Sequence, residues 1–291
     1  MTVCIAAHCN TDKCIVLASD MMISTVDMSA DVAAMKMYPV GRHWVTQFAG
    51  GEVSQLTPIL DFVQKKMGHE SETLPFVSQL FSTAWEHRLQ QKIETEVLRP
   101  LGYTLEKFRE NGLKELGPDV FSRQLYEVQQ QYLDLQILVS GFDEDKPHIF
   151  SVTSPGKFTY YSQLGFWAIG SGETHALGSF FNSRNPLRAL DRASMLYRVC
   201  EAKFNAENAV GVGETTCVMI VYPDGSRLNP TNDEIAALKE VWKRTRVLAV
   251  PEDAKSIATT ILTRADQEKI MSQPDFSKRK RRRLRRKPLK R

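Results

Sequence analysis

The chain has little cysteine, and what it has is not arranged for bonding. Its five cysteines (Cys4, Cys9, Cys14, Cys200 and Cys217) are an odd number and contain no Cys-x-x-Cys pair. That excludes a disulfide framework and reads as reduced thiols packing as small hydrophobes in a cytoplasmic protein. The six histidines are scattered without the spacing of metal ligands, so neither a metal nor any other cofactor is expected. No apolar run approaches the roughly 18 residues of a membrane span. The first residues lack the basic and apolar segments of a secretory signal. Internal repeats are also absent. What remains is an ordinary globular composition, 42% hydrophobic and 25% charged, long enough for one large domain or two small ones.

Charge is concentrated at one end. Lys278–Arg291, KRKRRRLRRKPLKR, holds eleven basic residues and no acidic one, so the net charge of +4 becomes −7 without it. A mildly acidic body therefore carries a basic tail that repels itself into disorder. Such a tail either binds an acidic partner or is simply solvated.

The remaining pattern predicts an α+β fold. Val3–Cys9 and Cys14–Ser19 form a hairpin, and Ala34–Val40 and His43–Phe48 a second. Two long helices follow Gly50-Gly51, the second over about Leu74–Leu98. The breakers within 99–119 mark an insertion, and a helix resumes through Phe121, Leu125 and Val128. Strands return at Leu135–Gly141, His148–Thr153, Phe158–Ser162 and Gly165–Ile169. Two helices come next, the second started by Asn185 as N-cap and Pro186. Glu214–Tyr222 is a strand, and Thr231–Val247 and Val250–Met271 are helices. This order suits two sheets packed face to face with helices outside. Residues 2–250 form the domain, 251–277 a helical extension and 278–291 the tail.

The chemistry begins at residue 2. A small residue after Met1 invites removal of the methionine, which leaves Thr2 with a hydroxyl nucleophile and its own α-amine as base. A cation would lower the barrier to proton loss from that hydroxyl, and a carboxylate would hold the cation. Asp20 ends the first hairpin and Lys36 follows in "AAMKMYPVG". A buried lysine needs such an acidic partner. Gly50 in "FAGG" sits at a strand-to-helix junction, where its N–H could stabilise an oxyanion. Ser171 in "AIGSGETHAL" sits at another. Cys4 lies mid-strand and reads as core, His175 as a surface or packing histidine, and Met21-Met22 as interfacial packing.

In their order, Thr2, "LASD", a lysine, "FAGG", "VSGFDEDKPHIFSV" and "AIGSGETHAL" resemble the proteasome-type N-terminal nucleophile hydrolases, the bacterial Anbu-type branch most. Sixteen residues separate Asp20 from Lys36 and fourteen separate Lys36 from Gly50, as in proteasomal β-subunits. The resemblance covers roughly residues 2–222. It implies a four-layer αββα sandwich and threonine peptidase activity. It implies Thr2 as nucleophile, Asp20 and Lys36 as the charge pair, Ser171 beside the amine and Gly50 as oxyanion donor. For substrate binding it implies the backbone of Ser24 and the side-pocket positions Ile23, Ala34, Phe48 and Glu52. It further implies a peptide or unfolded-protein substrate, a homo-oligomeric ring or spiral, and a possible ATPase unfoldase partner. The family's outer Asp and Ser are replaced here by Asn208 and Gly211. That departure keeps two alternatives open: a proteasome-like scaffold without useful peptidase activity, and an amide hydrolase acting on a small molecule.

Overall fold

A computed structural model of the chain describes residues 2–9, 11–24, 29–31, 35–67, 72–182, 190–245 and 250–272. The described residues form twelve strands: β1 (Cys4–Cys9), β2 (Cys14–Asp20), β3 (Met22–Ser24), β4 (Ser29–Asp31), β5 (Met37–Pro39), β6 (Trp44–Gly50), β7 (Leu135–Asp143), β8 (Lys146–Thr153), β9 (Lys157–Tyr160), β10 (Phe166–Ile169), β11 (Thr216–Val221) and β12 (Arg227–Leu228). Seven α-helices accompany them among the described residues: α1 (Leu56–Met67), α2 (Leu74–Ile93), α3 (Leu105–Gln130), α4 (Glu173–Phe181), α5 (Arg192–Ala206), α6 (Asn232–Thr245) and α7 (Glu252–Ser272). The fold is α+β, as the pattern predicts.

Strands β1 and β2 are buried at every residue. Their period-two alternation therefore separates two apolar environments rather than core from water. Ile5, Ala7, Cys9, Val16 and Ala18 pack with residues of α4, α5, α6 and α7. Cys4, Ala6, Ile15 and Leu17 pack instead with Val45, Ala49, Leu138 and Ile149 of the other sheet. That second sheet turns Trp44, Ile137, Phe150 and Val152 toward Ile59, Val63, Phe81 and Trp85 of α1 and α2. At about 1.5–3 kcal/mol for each large apolar side chain taken out of water, these clusters are the main source of stability.

Both sheets are antiparallel and five-stranded, in the orders β10-β1-β2-β11-β12 and β5-β6-β7-β8-β9. The ribbon β3-β4 stands apart from them. Register pairs Cys4 with Ser19 on one side and with Ile169 on the other. It therefore brings the start of β1, the end of β2 and the end of β10 to one edge of the sheet.

Some boundaries differ from the sequence pattern. Asn185 and Pro186 lie outside the described residues, and α5 begins at Arg192, where Asp191 caps it by accepting from the Ser194 N–H at 2.7 Å. Residues 99–119 form a short turn and the first half of α3, which kinks at Gly117 before Pro118. Leu105 and Phe108 of this segment bury themselves against Ile93 and Leu98, which precede it, in a small separate cluster. The segment that follows α6 is not peripheral: Ala254, Ala258, Ile261 and Leu262 of α7 are buried in the cluster around α5. No helix among the described residues is long and apolar enough to cross a membrane.

Candidate active site

Thr2 sits two residues before β1, and the hairpin delivers Asp20 to it. The register that pairs Cys4 with Ser19 leaves the Asp20 N–H on the Val3 carbonyl at 3.2 Å. The Asp20 carboxylate is wholly buried. It accepts the Thr2 hydroxyl, the Val3 N–H at 2.9 Å, the Met22 N–H at 3.2 Å and the Gly213 N–H at 3.3 Å. Lys36, just before β5, brings its ammonium to 2.9 and 3.0 Å from the two carboxylate oxygens and also donates to Thr2 Oγ1. The lysine is 5% exposed. The Thr2 hydroxyl is thus held between a cation that favours its alkoxide and an anion that fixes the cation, in surroundings that screen neither.

The third arm comes from the turn between β10 and α4. Ser171 Oγ accepts from the Thr2 nitrogen at 3.1 Å and donates to the Thr2 carbonyl at 3.2 Å. The same carbonyl accepts the Gly172 N–H at 3.2 Å. Gly170 makes this approach possible. Its φ is +94°, and a Cβ there would collide with the Thr2 carbonyl. The chain carries Met1, so the Thr2 nitrogen is an amide while that residue is attached, and with it attached Thr2 is 4% exposed.

The sequence-predicted residues separate into groups. Thr2, Asp20, Lys36 and Ser171 converge on each other through the hydrogen bonds above. Gly50 ends β6 opposite Leu135 with φ of +143°. The Cys4 thiol donates to the Phe48 carbonyl at 3.3 Å, which ties that end of β6 to the strand that follows Thr2. Phe48 is buried in the α1 side of its sheet, its ring 5.9 Å from Tyr38. Glu52 is engaged elsewhere, in an ion pair with Lys92 at 2.7 Å and as acceptor of the Asp134 N–H at 3.0 Å. Burial alone would raise its pKa, but those bonds outweigh burial and hold it below the usual range. Ile23 and Ser24 lie in β3 opposite Ala30 and Ser29, with their side chains outside the described residues, as is all of Ala34.

Cys4 is no rival nucleophile. Burial pushes its thiol to about 12, with Lys36 lowering it less than burial raises it, so it stays neutral. Asn208 and Gly211, where the sequence resemblance expects an acid and a hydroxyl, offer neither: Asn208 is exposed and donates to the Asn205 carbonyl at 2.9 Å.

Three contributors carry no motif in the sequence. Gln136 of β7 accepts the Gly170 N–H at 3.1 Å and so braces the serine turn. Gly213 caps Asp20, and Lys203 of α5 holds the Gly213 and Glu214 carbonyls at 2.7 and 3.0 Å. Burial lowers the pKa of Lys203, opposed chiefly by Glu207. Among the described residues no group of three or more His, Cys, Asp or Glu is placed to hold a metal ion. The site's charges are instead supplied by side chains.

No protein-family model matches the chain, and no curated protein matches it significantly.

Proposed function

We propose that the chain is a threonine peptidase of the proteasome-like, N-terminal nucleophile type, active once Met1 has been removed. One observation carries this reading: the Thr2 hydroxyl lies between the Lys36 ammonium and the Asp20 carboxylate, while the Thr2 nitrogen meets Ser171. The three apolar clusters support a four-layer αββα sandwich in which the two sheets share the middle cluster.

In this mechanism the freed α-amine takes the proton of Oγ1, and Oγ1 forms a bond to the carbonyl carbon of a peptide. Lys36 stabilises the developing alkoxide, and Asp20 holds Lys36. The Gly50 N–H stabilises the tetrahedral oxyanion. As the C–N bond breaks, the protonated amine returns its proton to the leaving amine. Water, deprotonated by the same amine, then releases the acyl group and regenerates Thr2. The substrate is a peptide or unfolded chain that adds to the backbone near Ser24. The active form is a cytoplasmic homo-oligomer, fed by an ATPase unfoldase when the substrate is folded.

The presence of Asn208 and Gly211 where the resemblance calls for an acid and a hydroxyl favours a second reading, a proteasome-like subunit that binds without cleaving. Intact-mass analysis after treatment with a peptide vinyl sulfone separates the two. The peptidase reading expects one inhibitor on Thr2 of Met1-free protein, and none on a variant with an added N-terminal alanine. No adduct on Met1-free protein, or equal labelling of the extended variant, refutes it. A peptide-library digest then separates a peptidase from an amidase of the same fold.

A further inference from the structure

Asp20 is more than 180 residues from its last donor, Gly213, and that segment has no regular structure to hold it. Residues 212–215 lie between α5 and β11, outside any helix or strand. Their anchor is Lys203, whose side chain is fully buried and whose ammonium uses all three protons: on the Gly213 carbonyl at 2.7 Å, the Glu214 carbonyl at 3.0 Å and Glu207 at 2.7 Å. Glu207 is fixed in turn by Lys239 of α6 at 2.7 Å.

The held segment touches both halves of the site. The Gly213 N–H donates to Asp20 Oδ2. Val212 and Ala206 lie close around Gly172, where an added Cβ would come to 3.0 and 3.1 Å from them and 2.8 Å from Val3. So one ammonium sets the distance from α5 to the charge pair and to the serine turn. Asn208 and Gly211, which stand where the resemblance calls for an acid and a hydroxyl, lie in the loop that this lysine secures.

We propose that Lys203 is a positioning residue of the Thr2 site. Its ammonium fixes the 212–214 backbone against Asp20 and the Ser171–Gly172 turn, a part that neither Asn208 nor Gly211 plays. The inference rests on the peptidase reading for its catalytic consequence and on the hydrogen bonds alone for its structural one. Removing the ammonium orphans the buried Gly213 carbonyl, leaves the Glu214 carbonyl only the Thr216 hydroxyl at 3.5 Å, and lets the segment drift, so Asp20 loses a donor and the turn loses its backing.

The test compares Met1-free wild type with Lys203→Met by hydrogen exchange and by the rate of Thr2 labelling with the vinyl sulfone. In Lys203→Met, exchange rises at least threefold in 211–214 and also in the 170–173 turn, with β7 and β8 unchanged. Labelling slows at least tenfold, while KM for a fluorogenic peptide stays within twofold and kcat carries the loss. Lys203→Arg, which keeps the cation, recovers most of the rate. Where Lys203→Met does not fold, Glu207→Gln replaces it, with both exchange and labelling shifting in the same sense by about threefold. Exchange confined to 211–214, or labelling within twofold of wild type, overturns the proposal. If wild type itself is not labelled, the peptidase reading falls, and exchange at the 170–173 turn alone decides whether Lys203 positions it.

Discussion

Lys36→Ala is the substitution whose effects follow most directly from the geometry. The ammonium lies within 3.0 Å of both Asp20 oxygens, and the two side chains are 6% and 0% exposed. Breaking a buried pair by removing one partner costs about 3–5 kcal/mol, because the survivor remains charged and desolvated. Asp20 keeps three backbone N–H donors and the Thr2 hydroxyl, which places the cost near the lower end, about 3 kcal/mol. At about 2–3 °C per kcal/mol for a chain of this size, Tm falls by roughly 6–9 °C. Turnover falls further in relative terms. A single preorganised electrostatic contact to a developing charge contributes about 10²–10³ in kcat, and Lys36 touches the nucleophile itself. Lys36→Arg restores part of the Tm through its permanent charge but little of the rate, because a planar guanidinium cannot replace a compact ammonium between Oγ1 and two carboxylate oxygens. Calorimetry and hydrolysis of a fluorogenic peptide measure both. A Lys36→Ala variant with near-wild-type rate would sink the proposed chemistry, and one with unchanged Tm would refute the energetic argument for the pair.

Three other outcomes are expected. Gly170→Ala should slow labelling of Thr2 at least tenfold and lower Tm, since φ is +94° and the Thr2 carbonyl blocks a Cβ; Gly102→Ala, at φ +80° with nothing within 4 Å of its Cβ, should carry the backbone strain alone and label normally. Burial lowers the pKa of His148, more than Asp143 raises it, so the unfolded chain binds the proton more readily. Stability from this group is therefore complete above the ordinary imidazole value of about 6.5 and declines as pH falls below it, and a Tm-versus-pH series should flatten in His148→Asn. Deleting 278–291 should leave Tm and labelling unchanged but abolish heparin binding that weakens steeply with salt; salt-insensitive binding would exclude an electrostatic arm.

The first hairpin is legible because two apolar runs with β-branched residues flank a polar turn, and the same register places Asp20 beside Thr2. Lys36 is legible only as chemistry: nothing in "AAMKMYPVG" fixes where the ammonium goes, but a carboxylate sixteen residues earlier supplies a reason. Glu52 shows the limit of spacing. Its position suits a side pocket, yet Lys92, forty residues on, claims it. Lys203 shows a different limit. In "MLYRVCEAKFNAE" the charges Arg198, Glu201, Lys203 and Glu207 look like a solvated face, whereas α5 is buried along nearly its whole length. Their i, i+3 and i, i+4 pairing, Arg198 with Glu201 and Lys203 with Glu207, is the one signal that this helix neutralises its charges internally.

The strand order of the first sheet has a consequence during synthesis. The hairpin of β1 and β2 is made well before its neighbours on either side, β10 and β11, which come roughly 150 and 200 residues later. At about 5–20 residues per second, a ribosome leaves the β10 side of that hairpin unpaired for roughly 7–30 seconds and the β11 side for roughly 10–40 seconds. Those two strands are apolar on both faces, so the nascent chain carries an open template for pairing with other chains throughout that interval. The same delay is protective. Thr2 meets Asp20 early, but Ser171 and Gly213 reach it only when the sheet closes, so a half-made chain cannot present an assembled nucleophile to its surroundings.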